Sequence, residues 1–245
     1  MSGKLAHHYA HRGFHDKPYV PENSMAAFEA AVRRGFPVEF DVHLISDGSL
    51  VVFHDEDLER ETGAKGRIEE ETMESLARLR LEGTDEKIPS FDEVLDMFEG
   101  TGLPLLIELK AAQGNHRQLA ARVCDRLQKY TGEYVIESFD PRVLLEIRKI
   151  SPETPVGQLA QDFLRNREGL PLYQAVILTN MMFNVKTSPD FIAYRYEDVN
   201  VRAARSAIRH GTPAAVWTIK NITDYNNALE AGFVPIFEQF DPLGD

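Results

Sequence analysis

The sequence PVEFDVHL, from Pro37 to Leu44, combines a strand-like alternation with two carboxylates. Successive side chains of a strand point to opposite faces, so Glu39 and Asp41 share one face and apolar side chains occupy the other. An Asp-Gly turn at 47–48 follows, and Ser49–His54 then predicts a second strand, as in a β-hairpin. The apolar face suits packing against helices, which leaves the two carboxylates on the opposite side of the sheet.

Along the rest of the chain, short apolar runs alternate with helical patterns that often end at a glycine. Eight such units in 245 residues favour an α/β fold, a closed (β/α)8 TIM barrel in a single domain (1–245), over a doubly wound sheet. A charged segment with little periodicity, roughly 56–90, predicts a short insertion after the second strand, and Pro171–Asn184 is predicted to be helical. The barrel strands are predicted at Leu5–His11, Pro37–Leu44, Leu103–Lys110, Tyr134–Phe139, Pro155–Leu159, Asp190–Arg195, Ala214–Ile219 and Phe233–Gln239.

Acidic residues outnumber basic ones by 39 to 27, which gives a net charge of −12. Such a surface repels nucleic acids and anionic lipids, although a local cationic pocket or a bound metal still allows a small phosphate ligand. With Cys124 as its one cysteine, the chain excludes internal disulfides and thiolate metal sites. The N-terminus lacks the apolar core of a signal peptide, and no apolar run approaches the ~20 residues of a membrane span. We therefore expect a cytoplasmic protein without stable membrane anchoring.

Three carboxylates are candidates for a metal site. If Glu39 and Asp41 point into the barrel, two buried like charges are costly unless a cation lies between them. The alternatives are that one carboxyl is protonated or that both reach solvent. Glu108 and Lys110 also share a strand face, and a third carboxylate would complete an oxygen site suited to Ca²⁺ or Mg²⁺. Lys110 then requires an intervening anion such as phosphate, unless it simply pairs with Glu108.

Two histidines and an arginine stand at predicted strand ends. His11 and His54 could transfer protons near neutral pH, although a histidine at a strand end is often only a hydrogen-bonding residue. Arg12 offers a planar fork of donors for phosphate oxygens, and Gly13 permits a sharp turn. The sequence PENS, residues 21–24, predicts a helix start with Asn23 or Ser24 as N-cap. The positive end of that helix would help to hold an anion.

In their order along the chain, these motifs resemble the glycerophosphodiester phosphodiesterase family, a branch of the phosphatidylinositol-phosphodiesterase-like TIM barrels. The similarity is densest from Ala10 to Asp55, through AHRG, PENS, EFDV and VVFHD. It resumes at IELK (107–110), ESFDP (137–141) and VWTI (216–219).

The resemblance implies metal-dependent hydrolysis of glycerophosphodiesters to sn-glycerol 3-phosphate and an alcohol. It assigns His11 and His54 to acid–base catalysis, and it assigns Glu39, Asp41 and Glu108 to a divalent cation. Arg12 and Lys110 correspond to phosphate-binding positions, and Trp217 to a substrate-facing aromatic, with a core tryptophan as the alternative. Two other functions stay open, a lysophospholipase D acting on lipid-tailed diesters and a catalytically inactive phosphodiester-binding barrel. The sequence does not predict an oligomeric state.

The C-terminal segment departs from the family pattern. The family's last strand usually resembles GVDGIITD, whereas this chain has GFVPIFEQFDP from Gly232 to Pro242. Glu238 and Gln239 stand where Thr-Asp is expected, and Pro235 is poorly suited to a central strand. We therefore expect an irregular last strand and an atypical or missing last helix.

Overall fold

The computed structural model describes residues 5–167 and 169–244. Within these ranges eight parallel strands form a barrel, which closes because the first strand pairs with both the second and the last. One further short strand pairs antiparallel with the second barrel strand. The predicted TIM barrel is confirmed. The strands are β1 (Tyr9–Ala10), β2 (Val38–Leu44), β3 (Leu50–Val52), β4 (Leu105–Leu109), β5 (Tyr134–Ser138), β6 (Val156–Ala160), β7 (Phe191–Arg195), β8 (Ala214–Ile219) and β9 (Val234–Phe237).

Helices cover the outside of the barrel, and their apolar spacing explains why they form. In Phe91–Phe98 the buried residues recur at helical intervals, and Ser90 and Glu93 form a capping box at the N-terminus. The helix predicted at Pro171–Asn184 is present over Leu172–Thr179, and a separate one-turn helix, Asn184–Thr187, begins where the prediction ends. The helices are α1 (Met25–Arg34), α2 (Glu59–Thr62), α3 (Met73–Leu76), α4 (Phe91–Phe98), α5 (His116–Leu127), α6 (Pro141–Ile150), α7 (Leu172–Thr179), α8 (Asn184–Thr187), α9 (Arg202–Arg209) and α10 (Ile222–Glu230).

The alternation in β2 divides the protein into two apolar layers. Val38, Phe40 and Val42 point outward and belong to the large core between the strands and the helices. A smaller core fills the barrel itself, with Tyr9, Leu106, Val135, Leu159 and Ile236 among its members. Glu39 and Asp41 therefore point into the barrel, as their spacing predicted, and both are buried.

The predicted insertion lies between β3 and α4. It consists of α2, a 3₁₀ turn at Ile68–Glu70 and α3, each about one turn long, which is why the sequence shows little periodicity there. These pieces surround a separate apolar cluster that includes Phe53, Leu58, Ile68 and Leu81. The insertion thus has its own small core and packs beside the carboxyl end of β2.

The first barrel strand and the pairing of the last one are irregular. The first is only Tyr9–Ala10, shorter than the predicted Leu5–His11, because its neighbours pair with these two residues alone and Arg12 then turns into a left-handed conformation. In the β8–β9 pair the register shifts between Val216 and Ile219, so the extra residue lies on β8. Pro235 pairs in register with Val216, and the irregularity expected at the last strand therefore lies on its neighbour. The described residues after β9, 238–244, contain no helix.

None of the helices within the described ranges is long and apolar enough to cross a membrane.

Candidate active site

The predicted site residues meet at the carboxyl end of the barrel. A cavity of about 520 Å³ opens there and is lined by seven of the eight predicted side chains, while the eighth, Asp41, is buried beside Glu108 on the neighbouring strand. Parallel strands present their carboxyl ends at one face of a barrel, so residues far apart in sequence converge there. The seven are His11, Arg12, Glu39, His54, Glu108, Lys110 and Trp217.

Glu39, Asp41 and Glu108 form a compact buried group. One carboxylate oxygen from each lies within 4.8 Å of the others. Burial, then the negative charges of Asp41 and Glu108, raise the pKa of Glu39 well above its usual value. A bound divalent cation would relieve this repulsion, and buried carboxylate oxygens are the donors that Ca²⁺ and Mg²⁺ prefer. The residues present therefore fit such an ion.

Two cationic side chains lie directly against this acidic group. Lys110 Nζ lies 3.0 Å from Asp41 Oδ1 and 2.8 Å from Glu108 Oε1. Arg12 Nε lies 3.5 Å from Asp41 Oδ2, and the Arg12 backbone N–H donates to Glu39 Oε2 at 3.1 Å. Burial by itself would raise the pKa of Asp41, but Lys110 and other cationic neighbours hold it well below its usual range. Lys110 thus bridges two carboxylates, which is more than the simple Glu108–Lys110 pair considered from the sequence.

The turn after β1 fixes Arg12 in place. Gly13 has a φ of +80°, and a Cβ at this position would come within 2.9 Å of the Ala27 Cβ, so the close approach requires glycine. Ser24 is the N-cap of α1, since its side chain accepts from the Ala27 backbone N–H. Asn23 has a different role, because its Nδ2 donates to Asp41 Oδ2 at 2.9 Å. The sequence identified this segment as a helix start and missed the contact of Asn23 with the acidic group.

His11 is oriented by a residue to which the sequence assigned no role. Its Nδ1 lies 2.5 Å from Oε2 of Glu238, the residue that directly follows β9. Burial opposes ionisation of Glu238, but the contact with His11 holds its pKa far below the usual range, so the carboxylate accepts and Nδ1 carries the proton. His11 Nε2 then faces the acidic group, 3.9 Å from Glu39 Oε2. Burial, then the charge of Arg12, lower the pKa of His11.

His54 has a similar carboxylate partner. Its Nδ1 lies 2.5 Å from Asp55 Oδ1, and burial, then the charge of Lys110, lower its pKa to about 4. Arg60 from the insertion places one nitrogen, Nη2, 2.9 Å from Asp55 Oδ1 and 2.8 Å from Glu22 Oε1. Glu22 also accepts from Arg12 Nη1 at 2.5 Å. The insertion therefore links the supports of His54 and Arg12 through one arginine.

Trp217 lies in the cavity wall. Its ring meets Phe139 edge to face, with the centroids 5.7 Å apart. The indole Nε1 is buried and has no hydrogen-bond partner among the described residues. Trp217 both lines the cavity and packs against the apolar core of the barrel, so its contact with substrate stays a prediction.

A family model for the glycerophosphoryl diester phosphodiesterase family matches residues 11–240. The chain belongs to this family. Membership confirms the resemblance carried by the sequence motifs, and it makes the chain an enzyme of the phosphoric diester hydrolase class.

Three comparisons illustrate how this glycerophosphoryl diester phosphodiesterase family member relates to known proteins. A Bacillus subtilis glycerophosphodiester phosphodiesterase is 27% identical over 96% of this chain and 83% of its own length. A human lysophospholipase D is 33% identical over 54% of this chain and 44% of its own length. An Oleispira antarctica phosphodiesterase, solved with its product sn-glycerol 3-phosphate, superimposes with a TM-score of 0.80 at 22% identity over 96% of this chain and 93% of that one.

Proposed function

We propose that this family member hydrolyses glycerophosphodiesters to sn-glycerol 3-phosphate and an alcohol, with a divalent cation and with His11 and His54 as the proton-transfer pair. One observation carries the proposal: two histidines, each held by a carboxylate, border the same cavity as a buried group of three carboxylates. The activity named for the Bacillus relative and the product bound to the Oleispira enzyme support the same substrate class.

Charge complementarity supports phosphate binding at this cavity. Arg12 and Lys110 bring guanidinium and ammonium donors to its lining, where they would bind the phosphate oxygens. Glu39, Asp41 and Glu108 would hold the cation, which when bound supplies Lewis-acid stabilisation of the developing negative charge. A negative diester would then meet fixed positive charge inside a protein whose net charge is −12.

The histidine contacts support proton transfer. In each ring Nδ1 is engaged by a carboxylate, which fixes the tautomer, stabilises the imidazolium and leaves Nε2 to exchange a proton. One histidine deprotonates the attacking oxygen, from water or from the glycerol 2-hydroxyl, while the other protonates the leaving alcohol. A protein that only binds phosphodiesters has no need for two such pairs, and this argues against the inactive barrel.

Replacing Glu238 by glutamine should lower kcat by about 100-fold with little change in KM, because a neutral amide neither fixes the tautomer of His11 nor stabilises its imidazolium. Steady-state kinetics across pH should also show a changed profile, and Glu238→Asp should restore part of the rate. Lys220→Gln is the matched control, since Lys220 Nζ lies 2.9 Å from the other oxygen of Glu238 and its loss leaves the contact with His11 intact. A Glu238→Gln enzyme with wild-type kcat would contradict this positioning role.

One assay separates the proposed function from its rivals. We expect release of glycerol 3-phosphate from glycerophosphocholine, glycerophosphoethanolamine and glycerophosphoglycerol, lost when a chelator is added. Because one human relative is a lysophospholipase D, the same assay is also run with lysophosphatidylcholine as substrate. Turnover of the lyso-lipid alone would replace the proposal with that activity. Binding of all substrates with no turnover, at saturating Mg²⁺ or Ca²⁺, would identify an inactive barrel.

A further inference from the structure

A fourth carboxyl group lies in the cavity beside the acidic group. Glu137 is on β5, in register with Glu108 on β4, and its side chain is only 1% exposed. It lines the cavity, and its Oε2 has no hydrogen-bond partner among the described residues. It also lies outside the cluster formed by Glu39, Asp41 and Glu108. Neither metal binding nor proton transfer, as proposed above, accounts for this residue.

The surroundings of Glu137 indicate what kind of ligand group could reach it. Side chains two apart on a strand share a face, so Glu137 lies one step below Phe139, which meets Trp217 across the cavity. Leu159 and Ile236 add apolar surface to the same cavity. Glu137 thus lies between the acidic group, on the side of Glu108, and an apolar part of the cavity wall.

The position of Glu137 relative to the proposed phosphate-binding residues indicates which ligand group could contact it. Neighbouring strands lie about 4.8 Å apart, so Glu137 is one strand away from Glu108, with which Lys110 pairs. In a glycerophosphodiester the free hydroxyls lie a few bonds from the phosphorus, at that distance. A hydroxyl supplies a hydrogen-bond donor to the Glu137 carboxyl without carrying a charge that must be desolvated, unlike an ammonium group.

We propose that Glu137 is a specificity-determining residue whose carboxyl group binds a free hydroxyl of the substrate's glycerol unit. The inference rests on the proposed function, because it assumes that the phosphate lies at Arg12 and Lys110. A site built around a buried acceptor rejects analogues that lack the matching hydroxyl, since the acceptor is then left unpaired. Glu137 would in this way distinguish glycerol diesters from other phosphodiesters.

Binding measurements test the role without relying on catalysis. Calorimetry with sn-glycerol 3-phosphate, propane-1,2-diol 1-phosphate and propane-1,3-diol 1-phosphate, at saturating Ca²⁺, compares the product with analogues that each lack one hydroxyl. The wild type should bind the product at least about tenfold more tightly than one of the two analogues. Glu137→Leu should bind all three with similar affinity, and Glu137→Gln, which keeps an acceptor oxygen, should retain most of the preference. Glu197→Leu, at an exposed acid lining the same cavity, is the matched control and should keep the wild-type preference.

Each outcome is decisive. An unchanged preference in Glu137→Leu, or a wild type that does not discriminate, would overturn the inference. Glu137→Leu with an equal loss for all three ligands, together with weaker Ca²⁺ binding or a lower melting temperature, would instead assign Glu137 a structural role. Turnover of glycerophosphodiesters is measured separately. If the enzyme hydrolyses glycerophosphodiesters but shows no preference between the three ligands, the proposed function stands and this inference is wrong. If the preference depends on Glu137 but no diester is hydrolysed, this inference stands and the proposed function is wrong.

Discussion

Replacing His11 by alanine is expected to lower kcat by about three orders of magnitude, the contribution typical of a positioned acid–base group. The imidazole Nε2 faces the acidic group while Nδ1 contacts Glu238. Alanine removes this proton-transfer group and puts nothing in its place. KM should change little, because the proposed phosphate-binding residues, Arg12 and Lys110, are unaltered in this variant. The measurement is steady-state kinetics with glycerophosphocholine at saturating metal, together with thermal unfolding to establish that the variant is folded.

The neighbouring histidine gives a matched control for this prediction. His15 Nε2 lies 3.6 Å from Glu238 Oε2 and is buried, yet it does not line the cavity, so His15→Ala should keep kcat within about tenfold. His54→Ala should resemble His11→Ala, and the double variant should be little worse than either, because residues that act as a unit are non-additive. Full turnover by His11→Ala would end the assignment of proton transfer to this residue.

Removing the proposed divalent cation, or weakening its site through Asp41→Asn, is the second change with a large expected effect. Contacts with Lys110, Arg12 and Asn23 stabilise the ionised form of Asp41. Replacing it by asparagine removes this negative charge from the acidic group. Chelation should abolish turnover, and added Mg²⁺ or Ca²⁺ should restore it. Asp41→Asn should lower kcat/KM by about a thousandfold at a metal concentration that saturates the wild type, equivalent to about 4 kcal/mol.

A readout other than activity separates metal binding from catalysis. An ion that binds only the folded chain raises the melting temperature by an amount that grows with its concentration relative to its Kd, so the wild type should be stabilised by Ca²⁺ or Mg²⁺ and Asp41→Asn much less. Glu197→Gln removes a carboxylate at the cavity rim and should leave this stabilisation unchanged. If chelator-treated enzyme keeps its rate and neither ion changes the melting temperature, the proposed role of the acidic group is wrong.

Features governed by local periodicity could be predicted from the sequence. The alternation around Glu39 and Asp41 identified which face of β2 is apolar, and Val38, Phe40 and Val42 do pack against the helices. A strand repeats every two residues whatever surrounds it, so the carboxylates had to share the inner face. The same local signals identified helices that end at a glycine, and the lack of periodicity identified the insertion. The ordered motifs then identified the family.

Contacts across the closing seam of the barrel could not be predicted. Glu238 and His11 are 227 residues apart, and they meet because β9 pairs with β1. This segment departs from the family's usual last strand, which predicted an irregular strand. Nothing in the sequence indicated that Glu238 contacts a histidine. Arg60 likewise reaches Asp55 and Glu22 only because the insertion folds beside β2.

The sequence by itself determined the barrel, the inward direction of its acidic strands and the identity of the chemical groups at their ends. These depend on short-range repeats and on residue types, which one segment carries alone. The tertiary structure decided which carboxylate contacts His11, which asparagine contacts Asp41, and which cavity-lining carboxyl, that of Glu137, has a buried oxygen with no hydrogen-bond partner among the described residues. Those pairings depend on strand register and ring closure, which bring distant side chains to within hydrogen-bonding distance only when the whole barrel has formed.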